Sequence, residues 1–165
     1  MVDVERIDHV AIAVWRIRDV VPLYKDLLGG EFVDAGDDLE KEFRWVHFRY
    51  PGGFKIELME PLSEDSFLVR FLEKRGPGMH HILIHVKGIE SAIEQSERAG
   101  YRVVEARLQD KGWNEAFLHP KSTCGVLIEF GEVKHSDGEP VTEEDYAFPY
   151  TLEEVLNGAL GGPPT

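Results

Sequence analysis

The amino-acid sequence predicts an α+β fold made of two βαβββ modules in tandem. Three observations carry that expectation. Two short runs, RIDHVAIAV at 6–14 and MHHILIHV at 79–86, alternate apolar residues with a second class and end in valine, as a strand with one covered face does. Each is followed by a helix-like stretch and then by three strand-like stretches in the same order. In the last stretch of each half a glutamate sits among apolar residues, Glu57 in KIELM and Glu129 in VLIEF.

In the first module, DVVPLYKDLLGG follows the opening strand. Asp19 is read as its cap, Pro22 as tolerated in the first turn, and Gly29 as its stop. GEFVDA, FRWVHFRY and FKIELMEP then supply three strands. The joining segment SEDSFLVRFLEKRGPG reads as a short helix and a Gly-Pro-Gly turn. In the second module, GIESAIEQSERAG places Ile89, Ile93 and Ser96 on one helical face, with Gly100 as a stop. GYRVVEA, WNEAFLHP and GVLIEF complete it. The expected divisions are a first module over 1–62, a linker over 63–78, a second module over 79–131 and an acidic arm over 132–165. Within the arm, TLEEVLNGAL offers a Thr151/Glu154 capping box and a stripe of Leu152, Val155, Leu156 and Ala159. That helix either docks, for example on a neighbouring subunit, or frays.

Bulk properties narrow the function. The 165 residues are 42% hydrophobic and 10% aromatic, enough for a real core. Acidic residues outnumber basic ones 31 to 18, a formal charge of -13, with much of the excess after residue 130. Such a surface repels phosphate backbones and anionic bilayers, so neither nucleic acid nor membrane is an expected partner. No apolar run approaches the ~20 residues of a membrane span, and MVDVERIDHV is not read as a signal peptide. A single cysteine, Cys124, excludes an intrachain disulfide, which fits the expected cytoplasmic location.

The spacing of four residues carries the chemistry. His9 precedes Glu57 by 48 residues (9 to 57), and His81 precedes Glu129 by the same 48 (81 to 129). His9 shares its strand face with the small Ala11 and Ala13, read as the floor of a cavity. Val10, Ile12 and Val14 face a covering helix. His81 shares its face with Leu83 and His85, while Ile82, Ile84 and Val86 face the helix. Buried carboxylates need partners. Two carboxylates and two imidazoles around one divalent cation satisfy each other, in a set that suits zinc, nickel, cobalt, manganese or ferrous iron. Of the other candidates, His80 is read as an edge residue matching Asp8, a polar strand-start residue. His85 either lines the cavity or is a satisfied, partly buried histidine. His47 and His135 are read as surface. His119, before Pro120, is read first as a turn hydrogen bond and second as a ligand contact. Cys124 is read as a small filler.

These residues resemble the vicinal oxygen chelate superfamily, the glyoxalase/bleomycin-resistance/dioxygenase fold, in which duplicated modules form a cupped mixed sheet around a metal. Within it, DHVAIAV, KIELMEPL, FLEKRGPGMHHILIHV and HPKSTCGVLIEF look most like the methylmalonyl-CoA epimerases. The resemblance covers roughly residues 6–130. It implies metal ligands at His9, His81 and Glu129, with Glu57 at the position of a fourth. It also implies a metal-dependent epimerase or isomerase that forms an enolate from a small acyl compound, with an acyl-CoA as a candidate substrate, in a homodimer. Glu129 would double as a base, and Glu42 in DDLEKEFRWVHFRY is the nearest candidate for a second. His85, Trp113 and His119 are candidate substrate contacts, although Trp113 can equally pack at a module interface. Three other readings use the same fold. A glyoxalase I-like lyase needs the same ligand set. A ring-cleaving dioxygenase is disfavoured by the extra Glu57, and a drug-binding protein by the intact ligand types.

Overall fold

The computed structural model describes residues 1–109, 112–134 and 150–158. The first βαβββ module comprises β1 (Asp3–Ala13), α1 (Ile17–Val21), β2 (Glu31–Asp38), β3 (Phe43–Arg49) and β4 (Lys55–Pro61). Helix α2 (Phe67–Arg75) leads to the second, with β5 (Gly78–Lys87), α3 (Ile89–Arg98), β6 (Val103–Arg107), β7 (Gly112–Leu118) and β8 (Leu127–Lys134). A last helix, α4 (Leu152–Leu156), follows. The fold is α+β, as the alternation of apolar residues predicts. Among the described residues no helix is long and apolar enough to cross a membrane.

The chain forms two compact units that do not follow its order. One holds Met1–His9 together with the chain from His80. The other holds Val10–Met79 together with the C-terminal helix.

In the second of these, strands run in the order β2-β3-β4-β1. The β2–β3 and β3–β4 pairs are antiparallel, with Ala35 opposite Val46 and His47 opposite Glu57. Val14 N donates to Met59 O at 2.8 Å. One face packs Val14, Ile17, Val21, Ala35, Val46, Phe48 and Leu58 against α1, and Val155 of α4 joins the same cluster. The opposite face differs from expectation. Ala11 and Ala13 do not floor an open cavity; both are fully buried with Met59 under Leu68 and Leu72 of α2. Two alanines leave room for the leucines of an amphipathic helix to sit directly on the strand.

The first helix also differs. Asp19 is not its cap: it lies inside the first turn, bound to Arg16 Nε at 2.9 Å. Pro22 lacks an N–H and splits the helix, so α1 stops at Val21 and a π-helical stretch, Pro22–Leu27, continues. By contrast the Thr151/Glu154 capping box forms, with Thr151 N donating to Glu154 Oε2 at 2.7 Å. Helix α4 docks on its own chain: Val155 is 3% exposed, and Arg44 Nη1 donates to Val155 O at 3.0 Å. Arg18 also donates to Leu156 O. Residues 135–149 of the arm, His135 and Ala159 lie outside the described residues.

In the other unit the order is β1-β5-β8-β7-β6. β5 and β8 are parallel, with Leu83 opposite Glu129, and β7 is antiparallel to β8. Ile84 and Val86 face α3, in a cluster with Ile89, Ala92, Ala116, Leu118 and Phe130, as the alternation predicts.

Candidate metal centre

Three of the four expected ligands lie on strands of the unit that joins Met1–His9 to the chain from His80. His9 lies on β1, His81 on β5 and Glu129 on β8, and their exposures are 4%, 5% and 5%. The parallel register sets Leu83 beside Glu129, so His81, two residues back on the same face, lies diagonal to it. His81 Nε2 is 2.9 Å from Glu129 Oε2. The His9 and His81 rings are 5.6 Å apart, centroid to centroid. This donor set fits a divalent ion. A buried imidazole nitrogen and a carboxylate oxygen are donor types that such an ion takes. Phe117 packs edge-on to His81 at 6.2 Å and lies opposite Glu129 in the β7–β8 register. It gives the pair an apolar flank, which strengthens charge interactions.

Around the ligands is a shell the sequence reading missed. Asp8 is not a strand-start residue: β1 begins at Asp3, and Asp8 is 5% exposed. Its Oδ2 lies 3.0 Å from His9 Nδ1, and its Oδ1 lies 3.6 Å from His85 Nε2. His80 is half-buried, with its Nδ1 3.0 Å from His81 Nδ1. In both strands, then, the residue just before the ligand touches the ligand's Nδ1. His85 is buried beside Trp113, ring to ring at 5.6 Å. Trp113 Nε1 donates to Glu115 Oε2 at 3.0 Å. The indole lies flat against Gly131, where an added Cβ would stand 2.5 Å from Trp113 Cη2.

The fourth expected ligand, Glu57, is buried on β4 of the other unit. His47, opposite it on β3, is not a surface residue: its side chain is 12% exposed, with Nε2 3.6 Å from Glu57 Oε1. On its other edge His47 Nδ1 is 2.7 Å from Asp34 Oδ1. Burial opposes charging of this imidazole. The Asp34 hydrogen bond and the charges of Asp34 and Glu57 outweigh it and raise its pKa above the ordinary value. The 72-residue offset of the repeat (47 to 119) sets His119 against His47, but the residue opposite Glu129 is Phe117, so the cross-strand His–Glu contact is not duplicated. A cross-strand His–Glu pairing was nonetheless accessible from the β3–β4 hairpin.

The remaining candidates are defined by their local contacts and backbone. Glu42 occupies the turn before β3 with φ 53°, and its Oε2 accepts from Ser63 Oγ at 2.8 Å. His119 Nδ1 accepts from Lys121 N at 3.0 Å, a turn contact at the start of a 3₁₀ helix. Cys124 is exposed at φ 57° and so fills no space.

A family model described as the glyoxalase/bleomycin resistance protein/dioxygenase superfamily matches residues 8–117. The uncharacterized protein YqjC of Bacillus subtilis is 34% identical over 131 residues, 78% of this chain and 93% of that protein. Human mitochondrial methylmalonyl-CoA epimerase is 37% identical over 127 residues, 75% of this chain and 72% of that protein. Among solved structures, methylmalonyl-CoA epimerase from Mycobacterium tuberculosis is similar with a TM-score of 0.72 at 33% identity, covering 80% of this chain and 90% of that one. A Streptomyces coelicolor methylmalonyl-CoA epimerase in complex with 2-nitronate-propionyl-CoA is similar with a TM-score of 0.70 at 29% identity, covering 81% and 100%.

Proposed function

The chain belongs to the glyoxalase/bleomycin resistance protein/dioxygenase superfamily, and from that premise we propose that it is a divalent-metal-dependent epimerase of the methylmalonyl-CoA epimerase type. The observation that carries the reading is the buried His81–Glu129 pair at 2.9 Å with His9 beside it, in a chain whose relatives include epimerases acting on acyl-CoA thioesters. His9, His81 and Glu129 would hold the ion. Glu57 is proposed as the fourth ligand on the strength of the repeated 48-residue spacing (9 to 57, 81 to 129) and its burial. The ion's identity lies among cobalt, zinc, nickel, manganese and iron.

When bound, such an ion supplies Lewis-acid stabilisation of the oxyanion charge that develops as an acidic α-proton leaves. The chain's own residues do the rest. Asp8 engages Nδ1 of His9, which would leave Nε2 as the nitrogen to hold the ion. Glu129 presents Oε2 to His81, and its carboxylate would take the α-proton. Phe117 keeps water from one side of that carboxylate. Return of the proton to the opposite face needs a second acid, and Glu42 is the candidate the sequence supplies.

The test is solvent-deuterium incorporation at the α-carbon of methylmalonyl-CoA. Exchange that stops on chelation and returns with a divalent ion supports the reading; no exchange by metal-loaded protein defeats it.

A further inference from the structure

Both helices that follow a module's first strand begin without a local cap. The residue ahead of α1 is Arg16 and that ahead of α3 is Gly88, and neither offers a side-chain acceptor to the helix. In each case the acceptor comes from the last strand of the same module. Glu60 Oε2 accepts from Ile17 N at 2.6 Å. Glu132 Oε1 accepts from Gly88 N at 2.6 Å, and its Oε2 from Ile89 N at 3.3 Å. The device repeats in register with the ligands: 72 residues separate Ile17 from Ile89, Glu60 from Glu132 and Glu57 from Glu129 (17 to 89, 60 to 132, 57 to 129). Each capping glutamate stands three residues past a candidate ligand. An odd spacing on a strand sends the two side chains to opposite faces. One strand therefore carries a candidate ligand on one face and a tether on the other.

We infer that Glu60 and Glu132 are positioning residues for the metal centre, each locking the register of the strand that carries a ligand carboxylate. The inference rests on the function proposed above. The His81–Glu129 approach exists only in one register of the parallel β5–β8 pair. No hairpin sets that register, because parallel strands meet across a long connection. Glu132 sets it instead, by holding the two N–H groups that follow β5 directly. A slip of two residues would carry its carboxylate about 7 Å away and break both bonds. Glu60 ties β4 to the start of α1 in the same way, where Val14 N already bonds Met59 O. The two tethers are braced differently. Glu60 has Arg44 at 3.8 Å, itself held by Asp37 at 2.7 and 2.8 Å, whereas Glu132 has Lys134 at 3.9 Å.

A plain helix cap would affect stability alone; a positioning residue also changes how the site takes its ion. The experiment is a cobalt(II) titration followed by visible absorption, beside thermal melting, on the full chain with Glu132→Ala, Glu132→Gln and the exposed Glu97→Ala as control. Wild type and Glu97→Ala should bind equally. Glu132→Ala should bind about tenfold more weakly with an altered absorption envelope. Glu132→Gln retains one weaker acceptor and should lose only about threefold. Wild-type affinity and spectrum in Glu132→Ala, with a lowered melting temperature, would overturn the inference and leave the glutamate a cap. If the alanine variant does not fold, Glu132→Gln and Glu60→Gln decide: unchanged cobalt affinity in both overturns it. Failure of the wild type to take up cobalt would instead defeat the proposed function, so the two failures are distinguishable.

Discussion

Asp8 places one carboxylate oxygen 3.0 Å from Nδ1 of His9 and the other 3.6 Å from Nε2 of His85. A buried carboxylate on the far nitrogen of a ligand imidazole orients the ring and raises its basicity. Asp8→Asn keeps the shape and removes the charge. Its affinity for zinc, measured by competition with a chromophoric chelator, should fall about 10–100-fold. An unchanged affinity would detach Asp8 from the site.

Glu129→Gln tests the other side of the pair. The amide keeps the volume beside His81 but loses the anionic charge on which the proposed roles of donor and base depend. α-Proton exchange should drop by at least about 100-fold, with the far-ultraviolet circular dichroism unchanged. Exchange near the wild-type rate would remove Glu129 from the chemistry.

Gly131 leaves no room for a methyl group, since its Cβ would meet the Trp113 indole at 2.5 Å. Gly131→Ala should cost about 1–3 kcal/mol and change the tryptophan near-ultraviolet dichroism, because the indole must leave its place beside His85. Gly78→Ala meets nothing within 4 Å and should leave that signal as it is.

Burial pushes the Glu60 carboxyl above its ordinary pKa, although the Ile17 hydrogen bond and the Arg44 charge pull it back in part. A carboxyl with a raised folded-state pKa contributes its full stability below its unfolded-state value and loses it as pH climbs through the folded one. Glu60→Gln removes that loss. Urea unfolding of variant and wild type should therefore show the variant gaining relative stability as pH rises from the ordinary glutamate range toward neutrality. A difference that is flat with pH would contradict the raised value.

Helix α4 is a five-residue element with a complete capping box, and short helices depend on such ends. Thr151→Ala should cost about 1 kcal/mol and speed amide hydrogen exchange at Val155. Exchange at the wild-type rate would show that docking alone holds the helix.

The duplicated modules were legible because the alternation of apolar residues repeats, and with it the pairing of His81 and Glu129. What escaped depends on contacts between elements. His47 owes its burial to Asp34 on one neighbouring strand and Glu57 on the other, and its own strand shows only an ordinary polar position. Asp8 reads as a strand-edge acid until β1 proves to start five residues earlier. Ala11 and Ala13 look alike whether they floor a cavity or seat a helix; the packing of Leu68 and Leu72 decides. Gly36 and Gly131 each lie under an indole, Trp45 and Trp113, at positions where nothing local demands glycine. Glu60 and Glu132 were visible only as acids beside the ones that drew attention.

The burial of Val155 among Val14, Ile17, Val46 and Phe48 also bears on how the protein is born. β1 to β4 leave the ribosome well before Val155, the side chain that closes their core. Met1–His9 belong with strands translated far later. Each half therefore waits on a segment made much later, and the nascent chain exposes apolar surface in between.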